Sequence, residues 1–269
     1  MDFTNFFTRW QHAYTQIGVR YLIMASLAFL LFYFVFKKPM LKRRIQAKFP
    51  KRTDYSRDFL YSVVSVAIFA GMAVFTFFVI KPYTNMYSNV SDYPLWYFGL
   101  SMVWMFFLHD AYFYWSHRFM HHPKVFKYVH LIHHKSTNPS PWTAYAFHPL
   151  EAVLEALIIP IIAFTIPTHH LAITIYMLFQ IMYNVYGHLG FEIMPKKFNK
   201  HFIGKWMNTS VAHNMHHKYF NDNYGLWTTI WDRMIGTMNK KYDEAYVVAT
   251  EKESEKTSEE AQQKSPNFS

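Results

Sequence analysis

Five apolar runs occupy much of the first 186 residues and fix the solvent in which this chain folds. A stretch of about 20 predominantly apolar residues is long enough to cross a bilayer as a helix. Residues 17–36 and 59–80 meet that length and predict full spans. The first has no cleavage-site pattern after it, which makes it a retained span rather than a signal peptide. Residues 95–108 predict a third span that continues into a polar helix over 109–121. Residues 152–166 and 171–186 form the last pair, separated only by Pro167, Thr168, His169 and His170. That link suits a helical hairpin, either crossing fully or dipping partway, and Pro160 predicts a kink in its first arm. Charged residues make up only 16% of the chain against 52% hydrophobic, too few for an ordinary water-soluble surface.

The formal charge of +10 is unevenly placed. Lys37, Lys38, Lys42, Arg43, Arg44, Lys48, Lys51, Arg52 and Arg57 lie together between the first two runs. Such a block marks the cytoplasmic side and contact with anionic lipid. No nucleic-acid motif accompanies it, so no nucleic-acid partner is expected. Counting crossings from this block puts residues 109–148, and everything from 188 onward, on the cytoplasmic side. His12, His169 and His170 fall opposite. From residue 243 the sequence turns polar and predicts a disordered tail. The expected architecture is an all-α integral membrane protein, multi-pass, with four to five transmembrane or hairpin helices. A cytoplasmic, helical, histidine-rich catalytic cap completes it. Residues 1–94 would hold the first helices and the basic loop, 95–242 the catalytic domain and 243–269 the tail.

There is no cysteine, which excludes disulfides, thiolate-ligated haem and cysteine-held zinc or iron–sulfur sites. Any metal must be held by nitrogen and oxygen. Sixteen histidines supply the nitrogen, and eight of them form three clusters. These are His117 with His121, His130 with His133 and His134, and His213 with His216 and His217. Residues three and four apart share a helical face, so each cluster aims its imidazoles one way. Eight ligands exceed what one ion takes; two ions with terminal ligands would use them. Left empty, such clusters repel when protonated and are costly to bury.

Imidazole suits zinc, copper, iron and nickel, so ligand type alone does not choose the metal. A catalytic zinc needs about three protein ligands and is overprovided here. An all-nitrogen set beside membrane spans fits O2 chemistry on lipid, where redox-active iron is required. A membrane zinc hydrolase is the alternative of another class, and a metal transporter or structural membrane protein a third. A transporter should carry ionisable groups deep in its spans, and residues 22–36 and 63–80 have none.

Several residues have two readings. His109 and His148 either ligate or stand behind the ligands, His109 also as a channel-lining residue. Asp110, Glu151, Glu192 and Asp232 are candidate acceptors for the second imidazole nitrogen of a ligand; Asp232 alternatively pairs with Arg233. His169, His170 and His201 read as interfacial or surface residues. Phe113, Tyr114, Trp115 and Trp142 either wall a lipid channel or form an aromatic belt.

The run from His109 through Asp110, Tyr112, Trp115 and His117 to Arg118 resembles the signature of the fatty acid hydroxylase/sterol desaturase superfamily. So do residues 146–151, Gly187 with His188, and residues 223–226 with Trp231, Asp232 and Arg233. Within it, residues 121–127 and 223–233 look most like sterol C-5 desaturases (lathosterol oxidases). The resemblance covers roughly residues 95–237. It implies two non-haem iron ions and O2 as co-substrate. It also implies a membrane lipid substrate and electrons from an external carrier of the cytochrome b5 or ferredoxin type. The outcome would be sterol desaturation, or hydroxylation of a fatty-acyl, sphingolipid or other lipid. Carried over by position, the ligands are His117, His121, His130, His133, His134, His188, His213, His216 and His217. Where some members have a second histidine four residues before His188, this chain has Asn184, whose amide oxygen either completes the metal shell or packs between helices.

Overall fold

The computed structural model describes residues 3–251. Helix α1 (Phe3–Leu30) passes directly into a π-helical turn, Leu31–Val35, so one apolar helix runs unbroken over Phe3–Val35. It begins well before the expected start at residue 17. Residues 3–16 contain no glycine or proline to stop it, and the Trp10 indole donates to the Ala67 carbonyl at 3.0 Å. After a single turn in the basic linker, α2 (Lys37–Met40), helix α3 (Arg52–Val74) continues through its own π turn to Ile80. Asp54 accepts from the Lys51 backbone N–H at its start, satisfying one of the free donors of the first turn. Helices α1 and α3 pack antiparallel, with Gly18 opposite Val66 and Gly71 opposite Trp10. Phe3–Val35 and Arg52–Tyr83 are the two helices among the described residues long and apolar enough to cross a membrane.

Helix α4 (Leu95–Met120) joins an apolar first half to a histidine-bearing second half. Two short helices follow, α5 (Pro123–Val129) and α6 (Leu131–His134), then a 3-10 turn over Pro141–Tyr145. The expected kink falls at Leu157, where α7 (Pro149–Ala156) and α8 (Ile158–Thr165) meet with helical backbone and an i→i−4 bond on either side. Pro160 causes it from one turn downstream, because its missing N–H would have bonded the Ala156 carbonyl and its ring crowds that oxygen. Helix α9 (His170–Gly187) returns toward the histidines. The fold departs slightly from all-helical: β1 (Met86–Tyr87) pairs in parallel with β2 (Thr168–His169), fastening the link before α4 to the α8–α9 turn.

Helices α10 (Ser210–Tyr219), α11 (Ile230–Ile235) and α12 (Tyr242–Glu251) close the described chain. Helix α12 corrects the expectation of disorder from residue 243. Tyr242, Tyr246 and Ala249 recur at helical spacing and are buried against Val211, Ala212 and Met215 of α10. The rest of the expected tail, from residue 252, lies outside the described residues.

Candidate metal centre

Four helices converge at the end of the bundle where α4 and α9 terminate. Helix α4 brings His117 in its last turn and His121 at its C-cap; α9 brings His188 at its C-cap. His130 caps α6, which carries His133 and His134, and α10 supplies His213, His216 and His217. The nine imidazoles fall into two groups. One contains His117, His121, His130, His134 and His216, the other His133, His188, His213 and His217. Within each group the nearest ring nitrogens all lie within 4.8 Å of one another. Eight of the nine rings are buried, and His121 is partly so.

The hydrogen bonds at the back of the rings determine what faces the middle. Nδ1 of His117, His133, His188, His216 and His217 points at the backbone carbonyls of Tyr224 (2.8 Å), Ala146 (3.4 Å), Asn184 (2.8 Å), Asp222 (2.6 Å) and Ser136 (3.0 Å). Nδ1 of His130 meets the Glu151 carboxylate at 2.6 Å. A carbonyl can only accept, so Nδ1 carries the proton and Nε2 presents its lone pair. Yet Nε2 of His117 lies 3.0 Å from that of His130, and Nε2 of His188 lies 3.3 Å from that of His133 and 3.2 Å from that of His217. Two lone pairs cannot hydrogen-bond each other. A shared cation resolves the conflict: metal–nitrogen bonds of about 2.0–2.1 Å place neighbouring ligand nitrogens roughly 2.9–3.4 Å apart. The donor set therefore fits two metal ions, with five and four imidazoles.

Burial, and then the neighbouring imidazoles, hold His130, His134, His213 and His217 well below the usual histidine range. Both causes favour the neutral ring, which is the ligating form. His134 differs in one respect: its Nδ1 is buried with no acceptor among the described residues, and its ring lies near those of Phe126 and Phe220.

Of the four candidate carboxylates, Glu151 alone touches one of the nine grouped histidines, His130. Glu192 bonds Tyr186 and the backbone of Met194 and Val211, fixing the first turn of α10. Asp110 accepts from the Trp227 and Thr228 backbone and the Thr228 hydroxyl. Asp232 binds the backbone N–H groups of Tyr224 and Gly225, while Arg233 turns to the Lys205 carbonyl and Thr229. Asp232 thus steadies the turn whose Tyr224 carbonyl orients His117. Gly225 is required there, since a Cβ would fall 2.2 Å from the Thr228 carbonyl oxygen. Replacing Glu151 with alanine should weaken metal retention about 10- to 100-fold, the usual cost of losing a ligand's outer partner. Chelator competition on purified protein measures this, and unchanged retention would assign Glu151 a packing role.

Asn184 meets His188 through its backbone carbonyl, and its side-chain amide donates to Ala144 at 2.8 Å. His109 bonds the Tyr176 hydroxyl at 3.0 Å and lines a cavity rather than joining the ligand groups. His148 accepts from the Leu150 backbone at the start of α7, and His169 from that of Leu171 at the start of α9. Phe113, Tyr114, Trp115 and Trp142 do not line that cavity: Phe113 packs on His117, Tyr114 bonds Thr237, Trp115 is exposed, and Trp142 packs on α1. Asp58 was not visible as a site residue, since it stands at the edge of an apolar run beside the basic block. It is buried on α3, where its oxygens accept from the Ser136 and Thr143 hydroxyls at 2.7 Å and from Arg57. Those bonds fix the loop that offers the Ser136 carbonyl to His217.

The cavity has a volume of about 800 Å³ and lies among α1, α3, α8 and α9. Phe147 forms part of its wall, and the same ring packs on His133 with centroids 5.0 Å apart. The cavity therefore ends one aromatic ring away from the four-histidine group.

A family model described as fatty acid hydroxylase matches residues 102–237. Lathosterol oxidase of Mus musculus is 30% identical over 229 residues, covering 83% of this chain and 72% of that protein. A Delta(7)-sterol 5(6)-desaturase of Schizosaccharomyces pombe is 32% identical over 230 residues, covering 84% and 70%. The Leptosphaeria maculans Delta(7)-sterol 5(6)-desaturase is 34% identical over 180 residues, 65% of this chain and 48% of that one. The matched region thus spans about half the length of that fungal relative. No solved structure matches the chain.

Proposed function

The chain belongs to the fatty acid hydroxylase family, and we propose on that footing that it is a di-iron membrane oxidase that uses O2 to desaturate or hydroxylate a lipid, acting in the manner of a sterol desaturase. The observation that carries this is the facing of Nε2 lone pairs across 3.0–3.3 Å at two places, beside a cavity within a bundle of apolar helices. His117, His121, His130, His134 and His216 would hold one iron, and His133, His188, His213 and His217 the other. Bound iron supplies O2 activation strong enough to break an unactivated C–H bond.

The chain's own residues prepare the surroundings. Backbone carbonyls and Glu151 keep Nδ1 protonated and the rings oriented, so little rearrangement is needed around the ions. Phe147 separates lipid from the ligand sphere, and the apolar walls of α8 and α9 exclude water from the reacting carbon. Helix α4, the kinked α7–α8 arm and α9 complete four to five membrane or hairpin helices in this reading, with the metal centre in a cytoplasmic cap. Asn184 belongs to that centre as the residue that orients His188.

Electrons would come from a separate carrier of cytochrome b5 or ferredoxin type, since the site offers only imidazoles. The basic stretch between Lys37 and Arg57 provides a surface for an acidic donor. Its reduction rate should then fall steeply as ionic strength rises; a rate indifferent to salt would place the donor elsewhere. The test of function is product analysis in membranes supplied with 18O2. A lipid two hydrogens lighter marks desaturation, and one 18O atom heavier marks hydroxylation. Release of a hydrolysed headgroup without O2 uptake would instead support a zinc hydrolase.

A further inference from the structure

Resting on the reading that the cavity beside the metal centre receives the lipid, we propose that its occupant is an amphiphile with an acidic head group, a phosphate or carboxylate. Arg9 and Lys81 hold the head, and the chain points toward Phe147. The first support is the polarity of the α1 wall. Thr8, His12, Gln16 and Arg20 fall four apart, make one helical stripe and all line the cavity. Trp10 bonds Ala67 and Gly18 faces Val66, so His12 and Gln16 stand level with the middle of the apolar run over residues 59–80. Polar and ionisable groups at that depth are expensive unless they face water or a ligand. A cavity meant for hydrocarbon alone would not present them.

The second support is charge. The lining carries Arg9, Arg20, Lys81 and one carboxylate, Glu155. Arg20 and Glu155 both lie toward the inner end, Arg20 near Tyr145 and Glu155 one helical turn beyond Glu151. Arg9 and Lys81 lie at the far end. The Arg9 guanidinium sits 4.0 Å above the Phe78 ring, and Lys81 donates to the Ser88 hydroxyl at 2.8 Å. Neither forms a salt bridge among the described residues. Two cations without a salt bridge at one end of the cavity call for an anion there. Along α9 the lining runs from His170 to Ile181, about 17 Å at 1.5 Å per residue. Anchoring the head would therefore select the oxidised carbon by its distance from the charge.

The experiment uses the iron-loaded full chain in neutral detergent, with octadecyl phosphate and octadecanol as matched probes and bound lipid counted by native mass spectrometry. Octadecyl phosphate should bind about tenfold more tightly or better, as charge-assisted hydrogen bonds predict. In the Arg9→Gln/Lys81→Gln variant the ratio should fall to about one, with iron content unchanged. The Arg9→Lys/Lys81→Arg variant should keep the preference, which separates charge from folding. Inorganic phosphate at equal concentration should not displace octadecyl phosphate; displacement would reveal a free-anion site and overturn the proposal. Equal binding of the two probes, or a preference that survives the double glutamine variant, would overturn it as well. Because the readout is binding rather than turnover, such a failure leaves the oxidase reading intact, and absence of iron would leave this one intact.

Discussion

Replacing His216 with alanine is expected to empty the five-histidine group and cut turnover roughly a thousandfold or more, about 4 kcal/mol of barrier. His216 is the junction of its group, with Nε2 at 3.1 Å from Nε2 of both His121 and His134. Its removal leaves α4 and α6 without their link to α10 at this ion. His133→Ala should act on the other group, where Nε2 of His133 lies 3.3 Å from that of His188. It should also leave space beneath Phe147, whose ring packs on His133. Each variant should retain about one metal ion per chain, as expected when two sites are filled by separate ligand sets. Neither residue lies in α1 or α3, so membrane insertion should be unaffected. Full metal content with full activity in either variant would remove that histidine from the ligand set.

The second large effect is expected far from the ligands, at Asp58. Its carboxylate is buried, binds two hydroxyls and pairs with Arg57 at 3.0 Å. Asp58→Ala would leave the buried Ser136 and Thr143 hydroxyls without their shared acceptor, while Arg57 keeps its pair with Asp54 at 2.9 Å. Breaking such a network costs about 3 kcal/mol or more. The loop over residues 134–143 would then loosen, and His217 would lose its fixed carbonyl at Ser136. The expected result is a clear fall in thermal stability together with faster chelator-driven metal loss. Asp58→Asn should recover part of both, since an amide oxygen still accepts one hydroxyl. A variant with lowered stability but unchanged metal retention would confine Asp58 to a packing role.

The clustered histidines were legible because their chemistry is local: residues three and four apart on a helix announce a shared face before any tertiary contact is known. His188 was not legible in this way. It stands alone in sequence at the end of α9 and entered through the family resemblance. The outer partners were hidden for a different reason. Most are backbone carbonyls, of Tyr224, Asp222, Ser136 and Ala146, and no side-chain pattern records where a carbonyl points. Asp58 was hidden by its setting beside Arg57, in a block that reads as topology. The apolar runs located the helices but misjudged ends set by packing: α1 extends back to Phe3 along α3, and α12 forms because Tyr242, Tyr246 and Ala249 find a surface on α10. Pro160 gave the kink but not its place, since a proline acts on the carbonyl four residues before it.

Metal stoichiometry of the gently purified chain, loaded with iron and freed of adventitious ions, tests the central claim most directly. Two irons per chain are expected, falling by about one in His216→Ala and by the other in His133→Ala, as two separately ligated sites require. One zinc per chain without iron, or two irons undiminished when both histidines are replaced, would contradict it.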